Sequence, residues 1–463
     1  MTYLEVIQYL ESFVNYEKIP AYPYKESLKL ERLKDFLKII DNPQDSLKAI
    51  HIAGTKGKGS TCVFITYILR QAGYKVGLYT SPHLSDFRER IRILAPNTEY
   101  PKPNTEFEGM ISKHELTVLV ERLKPAIEKY NKNSKYGPLT FFEVYTALAF
   151  VYFKEQNVNF VVLETGLGGR LDATNVVNPL VCVITPLSYE HTQKLGSTLK
   201  EIAAEKAGII KGRKVSAQAS PKGTKSQSHR IIVISAPQDK EAIEVIRDRC
   251  KEAGAKLYEA NKDIFYEKAI KGFNVLGIYG EYPNLEIQLL GEHQLINASV
   301  AVSVIEALRS YDIIVGIDSM RQGLYNTVWP GRCEIVAKNP FVILDGAQNT
   351  ASAKALKETI KEQFCANGRK YKKLILVLGI SKDKDIKGIC NELNGLADEV
   401  ILTKANNPRA AEPEVLSTYF KNKKTFITDN VKKAKIKAID TAKKEDLILV
   451  TGSLFVVGEF RDD

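Results

Sequence analysis

Ala49-Ile50-His51-Ile52-Ala53-Gly54-Thr55-Lys56-Gly57-Lys58-Gly59-Ser60-Thr61 is the stretch whose reading decides the fold. It begins as a short apolar run of strand type and then breaks into a glycine-rich loop with Lys58 and Ser60 inside it. The residues that follow, Cys62 to Arg70, space their apolar positions as a helix does. Strand, glycine loop and helix together make a phosphate cradle. Gly54, Gly57 and Gly59 let backbone N–H groups turn inward and approach an anion. The helix N-terminus adds partial positive charge. Lys58 can reach the outer phosphates, and a hydroxyl from Ser60 or Thr61 suits the magnesium that travels with them. The fit to the P-loop spacing G-x-x-x-x-G-K-[ST] is imperfect, because Gly59 separates Lys58 from Ser60. A glycine-rich turn alone is usually only a turn. The strand before it and the amphipathic helix after it make nucleotide phosphate binding the expectation here.

The whole chain bounds the rest. Its 463 residues exceed one ordinary core, so two or three domains are expected. No apolar run is long enough to span a bilayer. Met1 to Tyr22 lacks the charged start and apolar core of a secretory signal. The six cysteines are scattered without a C-x-x-C pair, which argues against a disulfide framework or zinc site and for a reducing cytoplasm. The net charge of +11 comes from dispersed lysines. No nucleic-acid motif accompanies them, and an anionic small substrate suits them as well.

Taken in order, Tyr3 to Phe13 and Leu28 to Ile40 carry helical periodicity. Lys75 to Tyr79 reads as a strand leading into Thr80-Ser81-Pro82-His83-Leu84, so Ser81 sits just past a strand end. A plain Ser-Pro turn is the simpler reading of that segment. Asn97 to Glu108 reads as a surface loop and Leu116 to Tyr130 as a helix. Thr140 and Glu143 have the spacing of a capping box that opens another helix. Phe160-Val161-Val162-Leu163-Glu164 is a buried strand ending on a carboxylate, a common place for a nucleotide's magnesium. Gly166, Gly168 and Gly169 follow it, ahead of Asp172-Ala173-Thr174-Asn175. After a further strand at Val181 to Ile184 the loop carries Glu190-His191, and Thr198 to Glu201 caps a helix. Lys206 falls on the apolar face of that helix. It either snorkels to the surface or points at a site, carbamylated into an anion. Residues 216 to 229 look like a mobile loop, and Ile231 to Leu290 like mixed α/β structure.

A boundary is expected at Trp329-Pro330-Gly331-Arg332, giving one domain over 1–329 and a second over 330–463. Beyond it, Phe341–Leu344, Leu374–Leu378, Val400–Thr403 and Leu447–Thr451 alternate with helical stretches, a parallel, Rossmann-like layout. Each run ends in polar or glycine-containing sequence, where such sheets bind ligands. The fold class is therefore α/β, a P-loop ATPase domain followed by a smaller Rossmann-like domain.

Read together, Ala53 to Ser60, Ser81 to Leu84, Glu164 to Asn175, Glu205 to Ile209, Pro330-Gly331-Arg332 and Asp345 to Asn349 closely resemble the folylpolyglutamate synthase/dihydrofolate synthase family of the Mur ligase superfamily. The resemblance runs from about Leu28 to Glu459. It implies a cytoplasmic, monomeric enzyme of folate biosynthesis and one-carbon metabolism, acting on small molecules without a nucleic-acid or membrane partner. ATP would phosphorylate the γ-carboxylate of a folate. Glutamate would then attack the acyl phosphate, giving an amide, ADP and phosphate. The resemblance puts ATP on Gly54, Thr55, Gly57, Lys58, Gly59, Ser60, Thr61, Asn297, Arg332 and Asp345. It puts magnesium, at two sites, on Ser60, Ser81, Glu164 and His191, with potassium as a further ion. Lys206 matches the family's carbamylated lysine. Lys58, Lys206, His191 and Arg332 are the implied catalytic set. Thr140, Phe142, Asp172 and Ala173 fall where bifunctional members bind the pterin substrate, and Gln348, Arg409 and Ser453 fall near the incoming glutamate.

Three departures stand out. Glu190 occupies a position where the family usually has aspartate. Gln348 replaces a histidine and cannot carry a proton or charge. The segment between Lys211 and Ile231 is longer than the family pattern. Asp172 and Ala173 suit the bifunctional type, whereas Ile19 to Leu30 matches its pteroate site poorly, so dihydrofolate synthase activity stays open. Two alternatives remain: another Mur-type amino-acid ligase, and a non-catalytic ATP-binding homologue supported only by the Glu190 and Gln348 changes.

Overall fold

The computed structural model describes residues 1–19, 22–96, 107–212, 230–365, 368 and 370–462. Of the expected surface loop Asn97 to Glu108, only Phe107 and Glu108 are described, and Phe107 is buried; the segment 216–229 lies outside the described residues.

Seven strands form the first sheet: β1 (Ala49–Ala53), β2 (Val76–Tyr79), β3 (Ile91–Leu94), β4 (Phe160–Glu164), β5 (Val181–Ile184), β6 (Ile232–Ser235) and β7 (Lys256–Glu259). Their order is β3-β2-β4-β1-β5-β6-β7. All neighbours pair parallel except β2 and β3. A parallel sheet covered on both faces needs continuous apolar strands, and β1, β2, β4, β5 and β6 are buried at every position. One face packs on the helix Lys58–Gln71, behind which lie the helices Glu292–Ala307 and Ile317–Tyr325. The other face packs on the helices Lys113–Asn133 and Phe141–Glu155. From β1 the chain winds over β4 to β2, and from β5 it continues on the opposite side. That reversal leaves a crevice at the carboxyl ends of β4, β1 and β5, where open α/β sheets hold ligands.

A three-stranded antiparallel sheet follows, β8 (Phe265–Lys268), β9 (Phe273–Leu276) and β10 (Glu281–Leu285). The last sheet contains β11 (Glu334–Lys338), β12 (Phe341–Leu344), β13 (Leu374–Leu378), β14 (Glu399–Leu402), β15 (Lys424–Ile427) and β16 (Leu447–Thr451), in the order β11-β12-β16-β13-β14-β15. Only β11 runs antiparallel. The four apolar runs expected from the sequence are its centre. β11 and β15 are its edges, and their charged residues hide them from a hydrophobicity reading.

Several expected helix ends move by a few residues, as where Leu116 to Tyr130 is observed as Lys113–Asn133. The helix after the phosphate loop starts at Lys58 with Gly57 as its N-cap, four residues earlier than its apolar periodicity indicates. Lys58, Gly59, Ser60 and Thr61 therefore form its first turn. None of these four residues is apolar, so apolar spacing cannot mark the start.

Candidate active site

The crevice is built on the loop after β1. Gly54 has φ +153°, and a Cβ there would sit 1.8 Å from the Thr185 hydroxyl. Gly57 has φ +78°, and a Cβ there would meet the Asn297 carbonyl oxygen at 2.2 Å. Both positions therefore require glycine by conformation and by space. Thr55 is held from below. Its hydroxyl bonds the backbone of Ser188, and the N–H groups of Thr55 and Lys56 both donate to the Pro186 carbonyl.

Four distant parts of the chain converge on this loop. Glu164, at the end of β4, places Oε1 3.9 Å from Lys58 Nζ. Its Oε2 accepts the backbone N–H of Ser81 at 3.2 Å. Burial raises the Glu164 carboxyl above its usual value, and Lys58 works against that rise. Lys206 lies on the helix Leu199–Ala207, which the Thr198/Glu201 capping box starts. Its amine is buried and donates to the Gly54 carbonyl at 2.7 Å. Burial, reinforced by the Lys58 charge, pushes its pKa down to about 7. The inward direction expected from helical phase is thus observed, and the snorkelling alternative is not. Asn297 projects from the helix Glu292–Ala307 beside Gly57 and donates to Gln294 at 2.9 Å.

The last sheet brings its loops to the same crevice. Asp345 accepts the N–H groups of Cys333 and Ala347, each at 2.8 Å. Burial raises its carboxyl, against the nearby Arg332 charge. The Arg332 guanidinium bonds its own chain at the Gly331 carbonyl, 3.0 Å away. Across the gap, Glu190 sits 3.6 Å from Lys384 and 3.4 Å from the Asn349 side-chain nitrogen. Burial alone would raise the Glu190 carboxyl, but the cationic groups around it hold it below its usual value. His191 beside it is exposed, in a left-handed conformation with φ 53°.

The residues expected near the pterin cluster around the turn after β4. Thr140 caps the helix Phe141–Glu155 through a complete capping box with Glu143. Phe142 packs on Gly166, where a Cβ would meet its ring at 2.7 Å. Asp172 is buried, and its carboxylate takes four donors. Gly166 and Leu167 donate to one oxygen at 2.9 and 3.0 Å, and the N–H and hydroxyl of Thr174 to the other at 3.0 and 2.6 Å. Ala173 follows it in the short helix Ala173–Val176.

The residues expected near glutamate are spread along the far lobe. Ser453 is buried, and its hydroxyl accepts the Phe455 N–H at the start of the helix Leu454–Asp462. It lines a small, shallow depression with Gly379, Ser381, Ala405 and Asn407 at the carboxyl ends of β13, β14 and β16. Arg409 is engaged elsewhere: it grips Asp383 at 3.1 and 2.5 Å and donates to the Glu17 carbonyl at 2.8 Å. The Gln348 backbone N–H donates to Ser352.

Among the described residues, two hydroxyls beside the phosphate loop and the end of β4 lack partners. The hydroxyls of Thr61 and Thr165 are buried without a hydrogen bond. Such orphans are costly unless a ligand completes them. Together with a glycine cradle, a buried carboxylate and clustered lysines, they fit a magnesium nucleotide.

This geometry defines an α/β protein that handles phosphates between a P-loop sheet and a Rossmann-like sheet. Residues 116–305 match the Mur ligase middle domain, and residues 331–454 the Mur ligase glutamate ligase domain. The chain is 35% identical over 444 residues to the dihydrofolate synthase/folylpolyglutamate synthase of Bacillus subtilis, an alignment covering 93% of this chain and 94% of the relative. The folylpolyglutamate synthase of Mycobacterium tuberculosis complexed with ADP superposes with a TM-score of 0.83, at 28% identity, covering 99% of this chain and 97% of that one. Escherichia coli FolC in complex with DHPP and ADP gives 0.78, at 28% identity, covering 100% and 97%. The protein belongs to the dihydrofolate synthase/folylpolyglutamate synthase family of Mur ligases.

Sequence reasoning missed Lys384, which faces Glu190, and Trp329, whose ring lies 3.1 Å from where a Cβ on Gly59 would sit. Lys384 lies in a charged run, and Trp329 reads only as part of a domain break. No local pattern marks either.

Proposed function

We propose that the protein is an ATP-dependent amide ligase that adds L-glutamate to the γ-carboxylate of a tetrahydrofolate through an acyl phosphate, releasing ADP and phosphate. The observation that carries this reading is the convergence of Lys58, Glu164, Lys206 and Asn297 on the Gly54–Gly57 cradle. ADP bound to the M. tuberculosis and E. coli structures supports the nucleotide.

A carboxylate is a poor electrophile, and phosphorylation gives it a leaving group. Lys58 and Arg332 stabilise the charge on the transferring phosphoryl. Asn297 and Asp345 orient the nucleotide from opposite sides of the crevice. Ser60, Ser81, Glu164 and His191 would hold magnesium, which would supply Lewis-acid charge at the phosphates. Carbamylation of Lys206 suits an amine that is largely neutral above pH 7, and would turn a buried cation into an anionic ligand. The lobes over 1–329 and 330–463 hold carboxylate and amine together away from water. Glutamate takes the Ser453 side of the cleft, with Gln348 and Arg409 nearby.

We extend the proposal to dihydropteroate as a second acceptor. The Asp172-braced turn beside Phe142, and the double name of the B. subtilis relative, favour it. The partners in this reading are small molecules alone, and the chain works as a cytoplasmic monomer. No helix among the described residues is long and apolar enough to cross a membrane.

The test uses purified protein with ATP, magnesium, potassium, bicarbonate and glutamate, and either tetrahydrofolate or dihydropteroate. ADP release is followed with product mass. Glutamate added to tetrahydrofolate supports the ligase, and addition to both acceptors supports the bifunctional form. ADP release only with another carboxylate acceptor moves the reading to a different Mur-type ligase. No ATP turnover leaves the non-catalytic homologue.

A further inference from the structure

Gly59 differs from the other loop glycines. It lies in the first turn of the helix Lys58–Gln71 and lacks a positive φ. Alanine would ordinarily favour a helix over glycine at such a position. What would crowd a side chain there is one residue from far along the chain. A Cβ at 59 would meet Trp329 Cζ2 at 3.1 Å, Nε1 at 3.3 Å and Cε2 at 3.4 Å, and these are its three nearest atoms.

Trp329 is half-buried among aromatic and cationic neighbours. Phe107 meets its ring edge-on at 6.0 Å between centroids, and the buried Arg92 guanidinium lies 5.9 Å over it. It packs against both the core of the first sheet and an apolar cluster built on the last sheet. Its indole nitrogen is buried without a hydrogen-bond partner. Three residues further on is Arg332. One ring therefore touches the backbone between Lys58 and Ser60 and begins the segment that carries Arg332.

We propose that Trp329 is a positioning residue: its indole sets the first turn of the phosphate-binding helix against the Arg332 segment, and glycine at 59 exists to receive it. This rests on the nucleotide reading above. The two cations that flank the phosphates come from different lobes, and the indole fixes their spacing. In a well-packed interior, a displacement of a few tenths of an ångström has nowhere to dissipate.

The test is a double-mutant cycle on Gly59→Ala and Trp329→Phe. Gly59→Ala should lower kcat/KM for ATP about tenfold, mainly through kcat, while its melting temperature holds or rises. In the Trp329→Phe background the same substitution should cost about twofold or less, because the smaller ring leaves room. Equal losses in both backgrounds overturn the proposal.

A second measurement uses the unaltered protein, so it stands even if Trp329→Phe fails to fold. Trp329 is the single tryptophan of the chain. Magnesium-ADP is titrated while intrinsic emission and binding heat are recorded on the same sample. Emission that changes along the binding curve supports the proposal. Binding heat with unchanged emission overturns it and leaves nucleotide binding intact. Absence of binding heat overturns the nucleotide reading and this proposal with it.

Discussion

Replacing Thr174 by valine removes one hydroxyl and keeps the shape of the side chain. The structure makes that hydroxyl the middle of a buried chain. His51 Nε2 lies 2.8 Å from it, and it donates to Asp172 at 2.6 Å. Thr174 must therefore accept from His51, which fixes the His51 proton on Nε2. His51 and Thr174 are fully buried, and His51 Nδ1 already lacks a partner. Valine leaves the Nε2–H unsatisfied and takes one of four donors from a buried carboxylate. Each loss costs about 1–3 kcal/mol, so a total of about 2–6 kcal/mol is expected. His51→Leu alone should cost about 1 kcal/mol or less, since it also removes the orphaned nitrogen. The double variant should lose less than the sum of the two. Urea unfolding at neutral pH measures all three. Because Asp172 holds the Gly166–Leu167 turn, KM for the folate should rise in Thr174→Val while KM for ATP stays near its original value. A stability loss below about 0.5 kcal/mol, or an ATP KM that rises as much as the folate KM, would refute the reasoning.

Three further outcomes are expected. Burial pushes the His51 pKa from 6.5 down to about 3. Between those values the unfolded chain binds a proton that the folded chain does not, so this group's contribution to stability falls as pH falls through that window. The difference between wild type and His51→Leu should therefore shrink on acidification and then reverse, and parallel curves would contradict it. Lys206→Met should lower kcat by about a hundredfold or more, whereas wild-type activity should rise with added bicarbonate above about pH 7, where the amine becomes neutral. Indifference to bicarbonate would remove carbamylation from the account. Glu190→Gln and Lys384→Met should couple by about 1 kcal/mol in kcat/KM, since each removes the same contact between lobes. Additive effects would show that the contact plays no part in turnover.

The parts of this site that were legible in the sequence are those with a local cause. The phosphate loop shows because glycines must follow a buried strand. Lys206 shows because helical phase puts it on the apolar face. Glu164 shows because a carboxylate ends an otherwise apolar run. β3 was hidden because Arg92 lies in it, and burial of that charge depends on Phe107, Trp329 and the Glu108 carbonyl. Asn297 was placed at the loop by resemblance alone. Its approach to Gly57 follows from how the helix Glu292–Ala307 packs on Lys58–Gln71. Trp329 and Lys384 act across the gap between sheets, where no periodicity or spacing rule reaches. The first turn of the phosphate-binding helix was placed too late because Lys58, Gly59, Ser60 and Thr61 carry no apolar side chain.

The most direct test of the central claim follows oxygen through the reaction. Tetrahydrofolate labelled with ¹⁸O in its γ-carboxylate is incubated with ATP, magnesium and glutamate, and the released phosphate is analysed by mass. Reaction through an acyl phosphate transfers one labelled oxygen to phosphate for each glutamate added. Unlabelled phosphate alongside a glutamylated product would contradict the acyl phosphate route.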